Sequence, residues 1–198
     1  MLSIVYLMLF LSGGAVIARL LLPRLKPVLR VYLGLSVGVL LLMWLPVLWA
    51  YAVRFSYAAH WLALGTLALL VGAAWLWRDR RSHAPFDEAE KRTLRLLLVL
   101  VVPLTVLGGY LQYTHSIRLA ADGTYHVGQS TYGDLSLHLA VCTSIVNASF
   151  PLENSLMLGA TMAYPYLSDS IATSMLMLGM PLNTAMAFTG TIMMALVY

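Results

Sequence analysis

Apolar residues run along the chain in long blocks separated by short polar segments, and six of these blocks predict membrane-crossing helices. The first four cover about residues 1–22, 31–53, 56–77 and 94–113. Each is close to the roughly 20 residues that span the hydrocarbon core of a bilayer. After a polar stretch, a fifth block covers about residues 166–178, and a sixth begins near Pro181 and is still apolar at Tyr198.

The composition agrees with an integral membrane protein and excludes a soluble domain. Of the 198 residues, 61% are hydrophobic and 10% are charged, whereas soluble domains are roughly 45–50% apolar and 25% charged. So few charges could not cover the surface of a soluble fold. The predicted fold class is therefore all-α integral membrane, with about six transmembrane helices and a large external loop between helices four and five.

The charge distribution predicts the topology. Ten of the twelve basic residues fall in two clusters, residues 19–30 and 78–95, and basic clusters beside membrane helices mark cytoplasmic loops. The N-terminus and residues 114–165 are then outside, where Arg54 and Arg118 are the remaining basic residues. We therefore expect a multi-pass protein of the cytoplasmic (plasma) membrane, and the net charge of +4 indicates topology rather than a nucleic-acid partner.

Three regions follow from this layout. Residues 1–113 hold four helices joined by basic cytoplasmic loops, and the acids after Pro85 predict the first turn of a helix that continues into the fourth span. Residues 114–165 form the external loop with an amphipathic helix and the candidate active site. Residues 166–198 hold helices five and six, and we expect the chain to continue beyond the unfinished sixth helix as a larger membrane protein.

The external loop is where function is expected, because about 50 residues is long beside the other, short connections. Every acid outside the basic loops lies in it or just after it, together with three of the five histidines: Asp122, Asp134, Glu153, Asp169, His115, His126 and His138. The sequence Ala121-Asp122-Gly123-Thr124 predicts a turn of a β-hairpin, since Asp caps such turns and Gly supplies positive φ.

Gly133-Asp134 predicts the start of a helix that continues to Ile145. At about 100° per residue, Asp134 and His138 share a face with Val141, Cys142 and Ile145. Two interpretations stay open. Asp134 caps the helix or forms a structural pair with His138, or the pair belongs to an active site that shares a proton, holds a metal ion or orients a hydroxyl group.

Asp169 lies one turn inside the fifth apolar block, just after Tyr164-Pro165-Tyr166. Pro165 suits the first turn of a helix. An acid at this depth is costly unless it is paired or faces a wet cavity. Two roles are therefore open for Asp169: it lines the same cavity as Asp134, or it serves the packing of the helices.

The segments Gly133 to His138 and Tyr164 to Asp169 resemble the GT-C superfamily of polytopic membrane glycosyltransferases. These enzymes use polyprenyl-phosphate-linked sugar donors and include the oligosaccharyltransferase and protein O-mannosyltransferase types. The chain resembles the N-terminal portion of such an enzyme, from an uncharacterised prokaryotic branch. The similarity covers about residues 120–185, and four spans precede the external loop here where the superfamily usually has one.

The resemblance implies that Asp134 is the catalytic acid, acting as a base toward the acceptor or binding a metal, and that His138 touches the donor phosphate or the metal. It implies a divalent ion, Mg or Mn, on Asp134 and His138. Substrate-binding roles are expected for Arg118, Tyr164, Tyr166 and Asp169. The expected partners are membrane lipid and a polyprenyl-phosphate sugar donor of the cell envelope.

A non-enzymatic multi-pass membrane protein, either part of a transporter or an assembly subunit, is the alternative. The polar residues of the last two apolar blocks would then serve helix packing or a translocation path. A transporter is expected to contain repeated spans with broken helices in matching positions. Residues 1–100 and 101–198 contain no such repeat, which favours the enzyme.

Overall fold

A computed structural model describes residues 2–128, 132–157 and 159–197. These residues form seven helices and a two-stranded antiparallel sheet, which confirms the all-helical fold class: α1 Leu2–Leu21, α2 Pro27–Val53, α3 Tyr57–Leu76, α4 Glu88–His115, β1 Ile117–Leu119, β2 Tyr125–Val127, α5 Tyr132–Ile145, α6 Leu167–Met177 and α7 Leu182–Val197. Met1 and Tyr198, at the outer limits of the first and sixth predicted helices, lie outside the described residues.

Four helices, α1 to α4, are long and apolar enough to cross a membrane. The fifth and sixth predicted spans are helical but short, with 11 residues in α6 and 16 in α7. At about 1.5 Å per residue, α6 rises through only about half of a hydrocarbon core of roughly 30 Å. A helix of this length is too short to cross alone, so four membrane-spanning helices are supported and the fifth and sixth spans stay predictions.

The closest helix pair is α1 and α2, which meet through small residues. A Cβ atom added to Gly14 would collide with the backbone of Gly34 and Gly38. Glycine at these positions allows the two helix backbones to touch, as small residues do in membrane helix pairs. Beside this contact, Tyr6, Phe10, Leu42 and other buried apolar side chains join α1, α2, α3 and α6 in the main core.

Both basic loops lie at one end of the helix bundle, which we call the basic end. The Asp79 amide donates to the Leu20 carbonyl at 3.0 Å, and the Ala84 amide donates to the Pro23 carbonyl at 2.9 Å. The loop after α1 and the loop before α4 are therefore in contact. The acidic start of α4 is confirmed, since the Asp87 side chain accepts from the Glu90 amide at 2.8 Å.

The opposite end, which we call the polar end, carries the segment that follows α4. Here Phe55, in the turn between α2 and α3, exchanges backbone hydrogen bonds with Asn147 and Ala148 after α5. The predicted hairpin turn is confirmed, because Asp122 Oδ1 accepts from the Thr124 amide at 3.0 Å and Gly123 has a φ of +85°. The hydrogen bond from the Thr124 side chain lowers the pKa of Asp122.

Candidate active site

The candidate site forms where α5 packs against α6 at the polar end. Val141, Cys142 and Ile145 of α5 are fully buried, as their shared face predicts. The Thr173 hydroxyl of α6 donates to the Cys142 carbonyl at 2.9 Å. This contact fixes the register of the two helices. It also brings together the residues one turn earlier on each helix, His138 and Asp169.

A hydrogen bond joins His138 and Asp169 across the two helices. The Nδ1 atom of His138 lies 3.0 Å from Oδ1 and 3.1 Å from Oδ2 of Asp169. The Asp169 side chain is 7% exposed and that of His138 is 32% exposed. Burial raises the pKa of Asp169, while the hydrogen bond from His138 acts in the opposite direction. The first turn of α6 holds the carboxylate where the helix N-terminus favours a negative charge.

This geometry leaves one nitrogen of His138 open. Because a carboxylate only accepts hydrogen bonds, Nδ1 carries the hydrogen and Nε2 presents a lone pair. Nε2 has no partner among the residues that the structure describes. The ring of Tyr164 stands edge-on to the imidazole, with 5.8 Å between ring centroids. A histidine oriented in this way by a buried carboxylate can accept a proton from a hydroxyl group or coordinate a metal ion.

Asp134 is one turn before His138 on α5 but is not its partner. Its side chain is exposed, and within the described ranges it has no hydrogen bond or ion pair. His138 lies on the helix face that packs against α6, whereas Asp134 lies at the exposed beginning of the same face. The carboxylate next to His138 therefore comes from Asp169 on the facing helix, and no hydrogen bond joins Asp134 to His138 among the described residues.

A divalent metal ion was expected on Asp134 and His138. Among the residues described, no three side chains of His, Cys, Asp or Glu are placed to hold one ion. One carboxylate and one imidazole nitrogen fit only a sparse site, of the kind in which Mg²⁺ or Mn²⁺ keeps water or phosphate oxygens as its other ligands. Asp134 and the open Nε2 of His138 are the groups that would hold it.

The other expected binding residues separate into two places. Tyr164 lies beside His138, and Tyr166 precedes α6 with its ring 5.8 Å from that of Phe150. Arg118 is on β1 and lines a cavity of about 650 Å³ together with Tyr113 and other residues of α4 and α7. That cavity is lined by neither His138 nor Asp169.

His60 is a polar residue of the interior that sequence reasoning missed. It lies on α3, is 2% exposed, and contacts the same helix α6 as His138 does. Its Nδ1 is 2.7 Å from the Ser56 carbonyl, and its Nε2 is 3.0 Å from Ser174 Oγ. The residue types carried no signal for it, because its contact with Ser56 is through a backbone carbonyl and Ser174 is 114 positions away along the chain.

Comparisons with protein-family models, with curated proteins and with solved structures find no match to this chain.

Proposed function

We propose that the protein is a membrane glycosyltransferase-like enzyme that transfers a sugar from a polyprenyl-phosphate donor at the outer face of the cytoplasmic membrane. The observation that carries this proposal is the open Nε2 atom of His138, oriented by the buried carboxylate of Asp169. The donor class rests on the resemblance of the segments around His138 and Asp169 to the GT-C superfamily. In this proposal His138 is the general base, and Asp169 is the positioning residue behind it.

The reaction would proceed by proton transfer coupled to substitution. The acceptor hydroxyl gives its proton to His138 Nε2 while its oxygen forms a bond to the anomeric carbon of the sugar. The bond between that carbon and the phosphate oxygen breaks, and polyprenyl phosphate leaves with the electron pair. The carboxylate of Asp169 stabilises the imidazolium that forms, as an acid behind a catalytic histidine does.

Asp134 and Arg118 have separate roles in this proposal. The exposed carboxylate of Asp134, one turn from His138, is available to the acceptor or to a divalent ion bound with the donor phosphate. The exposed guanidinium of Arg118 is the cation proposed to neutralise phosphate charge near the hairpin. Tyr164, beside the imidazole, and Tyr166, at the start of α6, are the proposed sugar-side contacts.

A non-enzymatic role as an assembly subunit is the second candidate, favoured by the hydrogen bonds of α6. Thr173 donates to the Cys142 carbonyl, Ser174 contacts His60, and Ser170 donates to the Met43 carbonyl at 3.3 Å. Polar groups engaged in this way hold helices together in a membrane. Under this candidate, substitutions at His138 would alter stability or assembly and no turnover would be found.

The test uses the whole protein in native membranes with a panel of short-chain polyprenyl-phosphate hexoses that carry a radioactive sugar. Release of radioactivity from the lipid phase measures transfer, with water or added acceptors receiving the sugar. We expect H138Q to lower the rate of sugar transfer about 100- to 10,000-fold, which is the range that general bases contribute. D169N should also lose rate, and D134A should abolish transfer without a change in expression or insertion.

The matched control is H126Q, which removes an exposed histidine of the hairpin whose side chain forms a hydrogen bond only with Thr124 among the described residues. Its rate should stay close to that of the wild type. Full activity in H138Q would reject the base role, and activity in D134A would reject the role of Asp134. Failure of the wild type to release sugar from every donor would reject the donor class.

A further inference from the structure

The basic end contains a crevice of about 460 Å³ between the last turns of α1 and the first turns of α2. The loop before α4 closes its third side. Three basic side chains and three apolar ones line the crevice: Arg19, Arg30, His83, Ala15, Val16 and Val31. None of the six is acidic. A crevice with this lining therefore carries an excess of positive charge at one edge and an apolar wall at the other.

Two of the basic residues of this crevice, Arg30 and His83, are positioned by hydrogen bonds to the backbone of the loop after α1. The loop that carries His83 is attached to the end of α1, through the Asp79 amide on the Leu20 carbonyl and the Ala84 amide on the Pro23 carbonyl. The Nη1 atom of Arg30 donates to the Pro23 carbonyl at 2.9 Å. Its other nitrogens have no partner in the described part of the chain, so they are available to a ligand.

The acids at this end are already engaged by other groups, and none of them faces the crevice. The four contacts are Asp79 with Arg81 at 3.6 Å, Asp87 with the Glu90 amide at 2.8 Å, Glu88 with Lys91 at 2.7 Å, and Glu90 with the Val28 amide at 2.9 Å. Among the described residues, the side chains of Arg19 and His83 have no hydrogen bond or ion pair. Three basic groups converge here without a protein counter-charge, which favours an anion from outside the chain.

The apolar wall indicates where that anion comes from. Val16 is 41% exposed and Val31 is 55% exposed, and both belong to helices long and apolar enough to cross a membrane. Their exposed faces are those that contact lipid chains when α1 and α2 span a bilayer. The crevice therefore opens sideways toward lipid as well as toward water, and a free phosphate ion would leave the valine wall unused.

We propose that this crevice binds the phosphate of an anionic membrane phospholipid, with Arg19, Arg30 and His83 around the phosphate and an acyl chain along Val16 and Val31. Basic pockets between membrane helices recognise anionic headgroups through this combination of charge and apolar surface. The site is at the opposite end of the bundle from His138. It is independent of the proposed transfer reaction.

The test measures binding to the purified whole protein in an uncharged detergent, after removal of co-purified lipid. The thermal unfolding midpoint is followed by tryptophan fluorescence while dioctanoyl phosphatidylglycerol is titrated, because a ligand of the folded state raises the midpoint. Parallel titrations use dioctanoyl phosphatidylcholine, glycerol 3-phosphate and inorganic phosphate. The variant R19Q/H83Q removes two of the three basic side chains and keeps Arg30, whose hydrogen bonds support the loop.

We expect phosphatidylglycerol to raise the midpoint of the wild type and to bind at least about fivefold more weakly to R19Q/H83Q. The matched control R24Q/R92Q removes two exposed arginines of the same end that do not line the crevice, and its affinity should stay within about twofold. An equal response to phosphatidylcholine would overturn the charge recognition, and an equal response to glycerol 3-phosphate or phosphate would overturn the lipid. Equal weakening in R24Q/R92Q would show that surface charge alone attracts the lipid and would also overturn the proposal.

Discussion

Two histidines contact α6 from different helices, and they differ in how many of their ring nitrogens have hydrogen-bond partners. His60 is 2% exposed, and both of its ring nitrogens have partners, the Ser56 carbonyl and the Ser174 hydroxyl. His138 has a partner on Nδ1 only, the buried carboxylate of Asp169, and a third of its side chain is exposed. The first is a closed histidine of the bundle interior, and the second is open to a ligand.

This contrast indicates which of the two histidines is suited to catalysis. A buried polar group without a partner is expensive, so an interior histidine is kept only when both nitrogens are satisfied. At the polar end water reaches the ring, and one nitrogen can stay unoccupied at little cost. An ionisable pair with one buried acid and one open base is therefore the better candidate for catalysis than the more deeply buried His60.

The largest effect on stability is expected for His60→Ala. The substitution removes a fully enclosed ring that packs 5.0 Å from the ring of Phe55, and it leaves the Ser174 side chain without its imidazole partner. We expect a loss of roughly 2–4 kcal/mol in the free energy of unfolding, from the cavity and the lost hydrogen bonds together. Equilibrium unfolding in detergent measures it.

The matched variant is H138Q, whose amide still donates to Asp169 from a half-buried position. It should lose only about 1 kcal/mol or less, although it removes the proposed base. If H60A unfolds like the wild type, or if H138Q is the less stable of the two, the distinction between a closed and an open histidine fails.

A smaller effect is expected when the stability of the wild type and of D169N is compared as a function of pH. Burial raises the pKa of Asp169, so the folded protein holds this proton more tightly than the unfolded chain does. The contribution of this proton to the free energy of unfolding is complete below the pKa of Asp169 in the unfolded chain, roughly 3.9. It is lost as the pH rises through the higher pKa of Asp169 in the folded protein. D169N cannot ionise and lacks this dependence.

Unfolding of both proteins is therefore compared from about pH 4 upward, in steps that cross the raised pKa. The wild type should lose stability relative to D169N over this interval. A wild type that gains stability relative to D169N would mean that the attraction of His138 outweighs the cost of burying the carboxylate.

Much of the fold could be predicted because helix-forming patterns are local. The apolar blocks matched α1 and α3 to within one or two residues, and the turn at Asp122 followed from its own four residues. The beginning of α2 was placed four residues late, since the apolar block begins after Arg30 but Pro27 already occupies the first turn. The bounds of α6 were predicted to within one residue, but its interpretation as a transmembrane helix rested on composition, which short apolar helices and full spans share.

The contact between His138 and Asp169 was not predicted, although each residue was singled out separately. The helix face containing His138 was apparent from periodicity, and Asp169 stood out as an acid in an apolar block. Their contact joins residues that are 31 positions apart and depends on the register of α5 against α6. Such a register is a tertiary property. The sequence therefore favoured the nearest acid on the same helix, Asp134.

Chemical modification of the histidine rings distinguishes His60, whose two ring nitrogens both have partners, from His138, whose Nε2 has none among the described residues. Diethyl pyrocarbonate reacts with an accessible, unprotonated imidazole nitrogen, and peptide mass spectrometry gives the rate at each histidine of the detergent-solubilised protein. We expect His138 to react at a rate comparable to exposed His126, and His60 to react at least about tenfold more slowly, since its ring must wait for local opening. Equal protection of His138 and His60, in a sample where His126 is modified, would contradict the open nitrogen on which the proposed chemistry depends.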